Sequence, residues 1–296
     1  MSREADVSGG GAARKAAVLG APISHSRSPA LHRAAYAELG LTGWTYDRIE
    51  CDDVALPGLV DGLGEEWVGL SVTMPGKRAA LARADLRTER AVAVAAANTL
   101  VRLPDGGWRA DCTDIDGVTG ALRERGWTGA GSGRALVLGA GATAAAAVAG
   151  LRDLGIERVT VMVRDPARAA STVTVAEHFG LAVDVVRWNP ALPGAAGSDL
   201  VVSTVPAGVD DSVAVAAATA PFVLDVVYHP WPTPMARAVR AAGGRLATGL
   251  DMLLHQAYGQ VEQFTGLPAP RAVMAAVLPE RDVTVPATDG AERPHP

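Results

Sequence analysis

Short apolar runs punctuate the first third of the chain: AAVLG (16–20), WTYDRI (44–49), VGLSV (68–72), NTLVR (98–102) and WRADC (108–112). Runs of this length and composition predict strands. Between several of them the apolar spacing becomes helical, as in PALHRAAYAELG, where Pro29 suits a first helical turn and Gly40 an exit. Such alternation predicts an α/β domain with a largely parallel sheet. A second series opens with GRALVLGAGATAAAAVAGLRDLG (133–155) and continues with RVTVMV (158–163), VDVVRW (183–188), DLVVST (199–204) and FVLDVV (222–227). These strands are almost wholly apolar, as a sheet covered on both faces requires. Helical patterns near 250–266 and 271–278 close the ordered chain, and no repeat of fixed period is present. Residues 1–13 and 280–296 lack periodic apolar positions and read as tails. The pattern predicts two α/β domains with a junction near 113–133.

The 296 residues carry a net charge of −5 with no basic run, which argues against a nucleic-acid partner. The longest uncharged stretch, Ala135 to Leu151, is broken by glycines and falls short of the roughly 20 apolar residues of a spanning helix. MSREADVSGGGAA carries acids and glycines where a signal peptide carries an apolar run, so a cytoplasmic protein is expected. Cys51 and Cys112 cannot build a disulfide framework, and six scattered histidines show no ligand spacing, so no metal is expected. One bias does point to chemistry. Of 27 lysines and arginines only Lys15 and Lys77 are lysine. Lys77, in SVTMPGK, is either a chance surface residue or a position that needs an ammonium able to release its proton, which guanidinium does not do.

In LVLGAGATA, Gly139, Gly141 and Ala144 fit the G-x-G-x-x-A dinucleotide pattern between a strand and a helix. Arg164 stands at the end of the next strand, where an NAD site shows an acid, and Arg168 follows one helical turn later. Two guanidiniums there suit a 2′-phosphate and predict NADP. Asp165 leaves NAD open, since it could neutralise Arg164 or bind a ribose. Upstream, APISHSRSPALH (21–32) leads into a helix; Ser28 before Pro29 reads as an N-cap. Alternatively, Ser26 and Ser28 offer hydroxyls to a carboxylate at the helix N-terminus. Asn98, one of two asparagines, could serve a sugar-like hydroxyl or a strand end.

The series Gly20-Ala21-Pro22-Ile23-Ser24-His25-Ser26-Arg27-Ser28-Pro29, Val72-Thr73-Met74-Pro75-Gly76-Lys77, Ala97-Asn98-Thr99-Leu100 and Thr113-Asp114 resembles the shikimate dehydrogenase family, and actinobacterial members in particular. The likeness continues through Gly139-Ala140-Gly141, Asp225-Val226-Val227-Tyr228, Thr233-Pro234, Met252-Leu253 and Gln256-Ala257, covering about residues 15–278. The resemblance implies an α/β substrate-binding domain (14–113, completed by helices at 249–279) facing a Rossmann-type NADP domain (114–248) across a cleft. It implies a cytoplasmic enzyme of the shikimate pathway that reduces 3-dehydroshikimate to shikimate with NADPH. By motif position, Lys77 and Asp114 are its catalytic pair. Ser26, Ser28, Thr73, Asn98, Tyr228 and Gln256 bind substrate, and Gly139, Ala140, Gly141, Ala142, Arg164, Arg168, Thr204, Gly249 and Met252 bind NADP.

The family pattern leaves room for a homodimer. By type alone, Met252, Trp231, His25, His32 and His255 read as packing or structural residues. Departures from the pattern are Ser71 for Asn, Cys112 for the Asn before Thr-Asp, and Asp251 for a glycine expected near the nicotinamide. The Cys112 change predicts a looser Asp114. Two other readings stand beside the main one: an NAD-dependent quinate/shikimate dehydrogenase, and a catalytically silent sensor of NADP or a shikimate-like ligand.

Overall fold

A computed structural model describes residues 13–129, 131–206 and 211–281; of the two expected tails, 1–12 and 282–296 lie outside the described residues. The strands form two six-stranded sheets. In the first, β1 (Arg14–Gly20) is flanked by β2 (Trp44–Glu50) and β3 (Trp67–Val72), both parallel to it. Beyond β3 the sheet departs from the largely parallel arrangement expected. Its outer part holds β4 (Leu86–Arg87), β5 (Thr99–Arg102) and β6 (Trp108–Asp111), with β5 antiparallel to both β3 and β6. The β5–β6 pair is antiparallel because of the connection LPDGG, which turns with Leu103 N–H donating to Gly107 O at 2.8 Å. A parallel pair would need a crossover of a dozen or more residues.

The second sheet is parallel throughout. It contains β7 (Arg134–Leu138), β8 (Arg158–Val163), β9 (Ala182–Arg187), β10 (Leu200–Ser203), β11 (Phe222–Asp225) and β12 (Arg245–Thr248), in the order β12-β11-β10-β7-β8-β9. This is the doubly wound order, with its switch point between β7 and β10, where a ligand crevice opens at the carboxyl ends of the strands. The sequence pattern did not indicate β12 (RLAT) or β4, which are too short to show periodicity.

The helices connecting the sheets set the site. In chain order they are α1 (Ser28–Glu38), α2 (Leu56–Asp61), α3 (Lys77–Arg83), α4 (Glu89–Ala93), α5 (Asp114–Glu124), α6 (Ala142–Leu151), α7 (Ala170–His178), α8 (Asp211–Ala217), α9 (Pro234–Ala241), α10 (Gly249–Thr265) and α11 (Arg271–Ala276). α5 packs between α6, on the second sheet, and α10. α10 returns to the first sheet, where Leu254, Ala257 and Val261 bury against Leu31 and Ala35 of α1, and Phe264 joins Ala16, Val18 and Tyr46. Its entry is tight. A Cβ on Gly249 would fall 2.1 Å from the Val226 carbonyl oxygen, so only glycine fits there. Among the described residues no helix is long and apolar enough to cross a membrane.

Two expectations about this region are corrected. Asp251 does not face the cleft. It is fully buried and closes a capping box with Thr248, accepting the Thr248 N–H at 2.8 Å. Its other oxygen accepts from Arg125 at 2.7 Å and from Arg281 at 3.0 Å. The C-terminal tail does not begin at 280 either: Pro279–Arg281 form a 3-10 turn, and Arg281, 6% exposed, also binds Glu124 at 2.9 Å. The buried carboxylate of Asp251 and the more exposed one of Glu124 hold that guanidinium.

Candidate active site

Lys77 is the first residue of α3 and Asp114 the first of α5, so the loop after β3 and the end of β6 bring them together. Lys77 Nζ donates to Asp114 Oδ2 at 2.5 Å, with the side chains only 13% and 7% exposed. The other carboxylate oxygen accepts from Asn98 Nδ2 at 2.9 Å. The same amide nitrogen lies 3.1 Å from Gln256 Oε1, and Gln256 Nε2 is turned away to Leu253 O. On its acceptor side Asn98 Oδ1 takes the Thr113 N–H at 2.8 Å and the Thr99 hydroxyl at 3.0 Å. Asn98 is therefore engaged by protein groups on both sides rather than only bracing a strand end. It also removes the looseness expected from Cys112. The thiol is 1% exposed and takes no part in holding Asp114; burial, reinforced by the Asp114 charge, pushes it up to about 12.

A second group of side chains gathers at the start of α1. Ser28 is not the N-cap the sequence suggested. Arg27 already has helical backbone angles (φ −93°, ψ −5°), so the cap falls one residue earlier, without a side-chain bond. Ser26 Oγ accepts the Ser28 N–H at 3.3 Å, and both serines are buried. Arg48, which the sequence gave no reason to single out, donates from Nε and Nη2 to Ser26 O at 3.0 and 2.6 Å. Tyr228 stands close by: burial raises its pKa, while the charges of Arg27 and Arg48 oppose that rise. The Arg48 guanidinium beside two serine hydroxyls makes this end of the cleft a place for a carboxylate, while Arg27 is paired with Glu280. Thr73, partly exposed, follows β3 with its N–H donated to Leu19 O at 2.8 Å. His25 stacks against His229 from the loop after β11, with ring centroids 6.0 Å apart.

Across from these groups lies the glycine loop. Gly139 has φ +102°, and a Cβ there would stand 2.6 Å from the Thr204 hydroxyl, which itself donates to Leu138 O at 2.8 Å. Gly141 differs: a Cβ would meet nothing within 4 Å. Packing does not demand a glycine at 141, and the open space above the N-terminus of α6 suits a pyrophosphate approaching the backbone. Ala140 and Ala142 are partly exposed around that space, and Ala144 is fully buried below it.

Arg164 and Arg168 are exposed, and among the described residues neither is held by a carboxylate. Asp165 instead caps the 3-10 turn Pro166–Ala169, its Oδ1 accepting the Ala167 N–H at 3.1 Å. The carboxylate that left NAD open is thus used locally. These residues fit NADP, with the loop at 139–142 for the pyrophosphate and the arginine pair for a 2′-phosphate. Met252 packs against Gly117 with 7% exposure, and Gly249 is buried at the start of α10.

Comparison with known proteins bears on this geometry. Residues 18–100 match the family model described as the shikimate dehydrogenase substrate binding domain, and 249–278 that of the shikimate 5'-dehydrogenase C-terminal domain. Shikimate dehydrogenase (NADP(+)) of Methylobacterium radiotolerans is 39% identical over 266 residues, 87% of this chain and 93% of the relative. The crystal structure of Mycobacterium tuberculosis shikimate dehydrogenase superposes with TM-score 0.83 at 54% identity, covering 90% of this chain and 99% of that one. The Thermus thermophilus shikimate 5-dehydrogenase structure in complex with NADP(H) and shikimate gives TM-score 0.77 at 31% identity, covering 90% and 99%.

Proposed function

The chain belongs to the shikimate dehydrogenase family, and we propose that it interconverts 3-dehydroshikimate and shikimate with NADP(H), in the cytoplasm and as a step of the shikimate pathway. The observation that carries this reading is the largely buried Lys77–Asp114 pair with Asn98 on the second carboxylate oxygen. In this reading residues 14–113 with 249–279 form the substrate domain, and 114–248 the cofactor domain. The Ser26 and Ser28 hydroxyls, with Arg48 and Tyr228 around them, take the substrate carboxylate. Thr73, Asn98 and Gln256 face the ring hydroxyls.

NADP, when bound, accepts the hydride in one direction and returns it in the other. Lys77 handles the matching proton. In reduction its Nζ–H is given to the carbonyl oxygen as that oxygen gains charge, and in oxidation neutral Nζ takes the hydroxyl proton. Asp114 holds Nζ in place through one oxygen and is itself held by Asn98 through the other. A guanidinium at 77 would keep the positive charge but not release the proton. A silent ligand-binding protein would have no use for this pair.

Initial rates of reduced-cofactor formation with shikimate and with quinate, each with NADP and with NAD, test the reading. The expected result is a clear rate with shikimate and NADP that exceeds the other three. A faster rate with quinate and NAD, or none from folded protein that binds NADP, would overturn it.

A further inference from the structure

Behind the site, and resting on the functional reading above, a continuous chain of buried polar side chains runs through the first sheet toward Asn98. Tyr46 Oη on β2 donates to Ser71 Oγ on β3 at 2.6 Å, and Ser71 Oγ donates to Gln260 Oε1 on α10 at 2.8 Å. Gln260 Nε2 donates to Asn98 O and to Thr99 Oγ1, both at 3.1 Å. Thr99 Oγ1 in turn donates to Asn98 Oδ1 at 3.0 Å. Tyr46 and Thr99 are fully buried, Gln260 is 1% exposed and Ser71 4%. The neutral, buried ring of His32 stacks on Tyr46 with centroids 4.0 Å apart.

Atom type fixes the direction of each bond as far as Thr99, whose hydroxyl faces both Asn98 Oδ1 at 3.0 Å and Thr113 Oγ1 at 3.2 Å. An amide nitrogen only donates, so Gln260 Nε2 facing the Asn98 backbone carbonyl turns Oε1 toward Ser71. Ser71 must then donate to Oε1 and accept from Tyr46. Thr99, already accepting from Gln260, donates to Asn98 Oδ1. With that oxygen held by Thr99 and by the Thr113 N–H, Nδ2 is left facing Asp114 Oδ1. A flipped Asn98 would set its carbonyl oxygen against the carboxylate. Stability alone does not call for such a chain, because apolar residues of the same shape fill a core about as well as a paired polar network. Leu19, Leu70 and Leu100 beside it do so.

We propose that Tyr46, Ser71 and Gln260 are positioning residues for the proton-handling pair: they lock the Asn98 amide in the orientation that holds Asp114, and through Asp114 they hold Lys77. Among the described residues none of the three hydrogen-bonds Lys77 or Asp114 directly, so their effect passes through Asn98. This also gives a role to Ser71, the departure from the family pattern: its single hydroxyl fits between Tyr46 and Gln260.

The test is a double-mutant cycle in the full chain, with shikimate and NADP. Gln260→Met is expected to lower kcat roughly tenfold, with the shikimate KM and the NADP Kd within about threefold of wild type. In an Asn98→Ala background the same change is expected to cause no further loss. Ser71→Ala is expected to repeat the kcat loss and Ser71→Thr, which keeps the hydroxyl, to restore most of it; this pair decides the matter should Gln260→Met not fold. A folded Gln260→Met or Ser71→Ala enzyme with wild-type kcat, or an equal fold-loss with and without Asn98, would overturn the proposal. Absence of shikimate oxidation in the wild type would instead refute the functional reading, so the two failures are distinguishable.

Discussion

The two lysines of this chain have opposite surroundings. Lys15 lies at the surface, 48% exposed, with a 3.5 Å contact to Glu66, a type of pair worth little. Lys77 is largely buried against Asp114, and in the proposed mechanism it alone uses what distinguishes an ammonium from a guanidinium. The arginines at 164 and 168 show the converse, where permanent charge and a flat array of donors suit a phosphate. Replacing both by serine is expected to weaken NADP binding by about 10²–10⁴-fold, since each charge-assisted bond contributes about 1.5–3 kcal/mol. NAD binding should stay within about threefold. Fluorescence titration of both cofactors checks this, and equal loss for both would contradict it.

The cysteines give a second residue-scale expectation. Burial raises the pKa of the Cys51 thiol and pushes Cys112 up to about 12, so the thiolate is scarce at neutral pH. A thiol reagent at pH 8 should label neither residue in the folded protein and both after denaturation; labelling of folded Cys112 would contradict its inertness. Lys77, the serines and the glycine loop were legible in the sequence because each carries a motif. Arg48 and Gln260 were not, because their roles depend on which strand or helix lies opposite, and no local spacing records that.

At the scale of elements, the end of β6 and the start of α4 are fastened by charge. Asp111, 3% exposed by side chain, accepts from Arg90 through both oxygens, from Thr88 at 2.8 Å and from the Cys112 N–H at 2.8 Å. Burial alone would raise its pKa, but these bonds outweigh it and hold the carboxyl down to about 2. A depressed carboxyl stabilises the fold above its unfolded value of about 3.8, and that stability is lost as pH falls through about 4 toward about 2. Asp111→Asn should therefore be less stable than wild type by about 2–3 kcal/mol at pH 7, discounted because Arg90 is a third exposed. The difference should shrink in acid. Urea unfolding at pH 7 and pH 3 measures it, and a difference at pH 3 as large as that at pH 7 would contradict this origin.

The longer strands followed directly from apolar periodicity. The antiparallel β5–β6 pair did not, because pairing direction depends on the length of the connection rather than on the strands it joins. Asp251 misled for a related reason. Its place in a motif suggested the cleft, while its contacts are decided by Arg125 and Arg281 on other parts of the chain.

In the whole molecule, α5 carries Asp114 at the point where the two sheets meet, and α10 brings Gln256 and Gln260 back to the first sheet from the edge of the second. Side chains from the two parts also touch across the opening: His25 stacks on His229, and Arg78 Nη2 reaches Ser171 Oγ at 3.4 Å. In the proposed reading, substrate held by the serine end is thus presented to a proton group fixed from α3 and α5, with the cofactor loop facing both. The second sheet, covered on both faces, was legible in its five apolar strand runs, while its Rossmann-type arrangement was implied by the family resemblance. The return of the C-terminal helices to the first sheet was implied only by the family resemblance, since it joins segments more than 150 residues apart.

The most direct measurement is the kcat of Lys77→Arg for shikimate oxidation, taken together with its NADP Kd. Loss of the group that exchanges the proton predicts a kcat lower by about 10²–10⁴-fold, with NADP affinity within a few-fold of wild type. Turnover near wild type in that variant would contradict the role of Lys77.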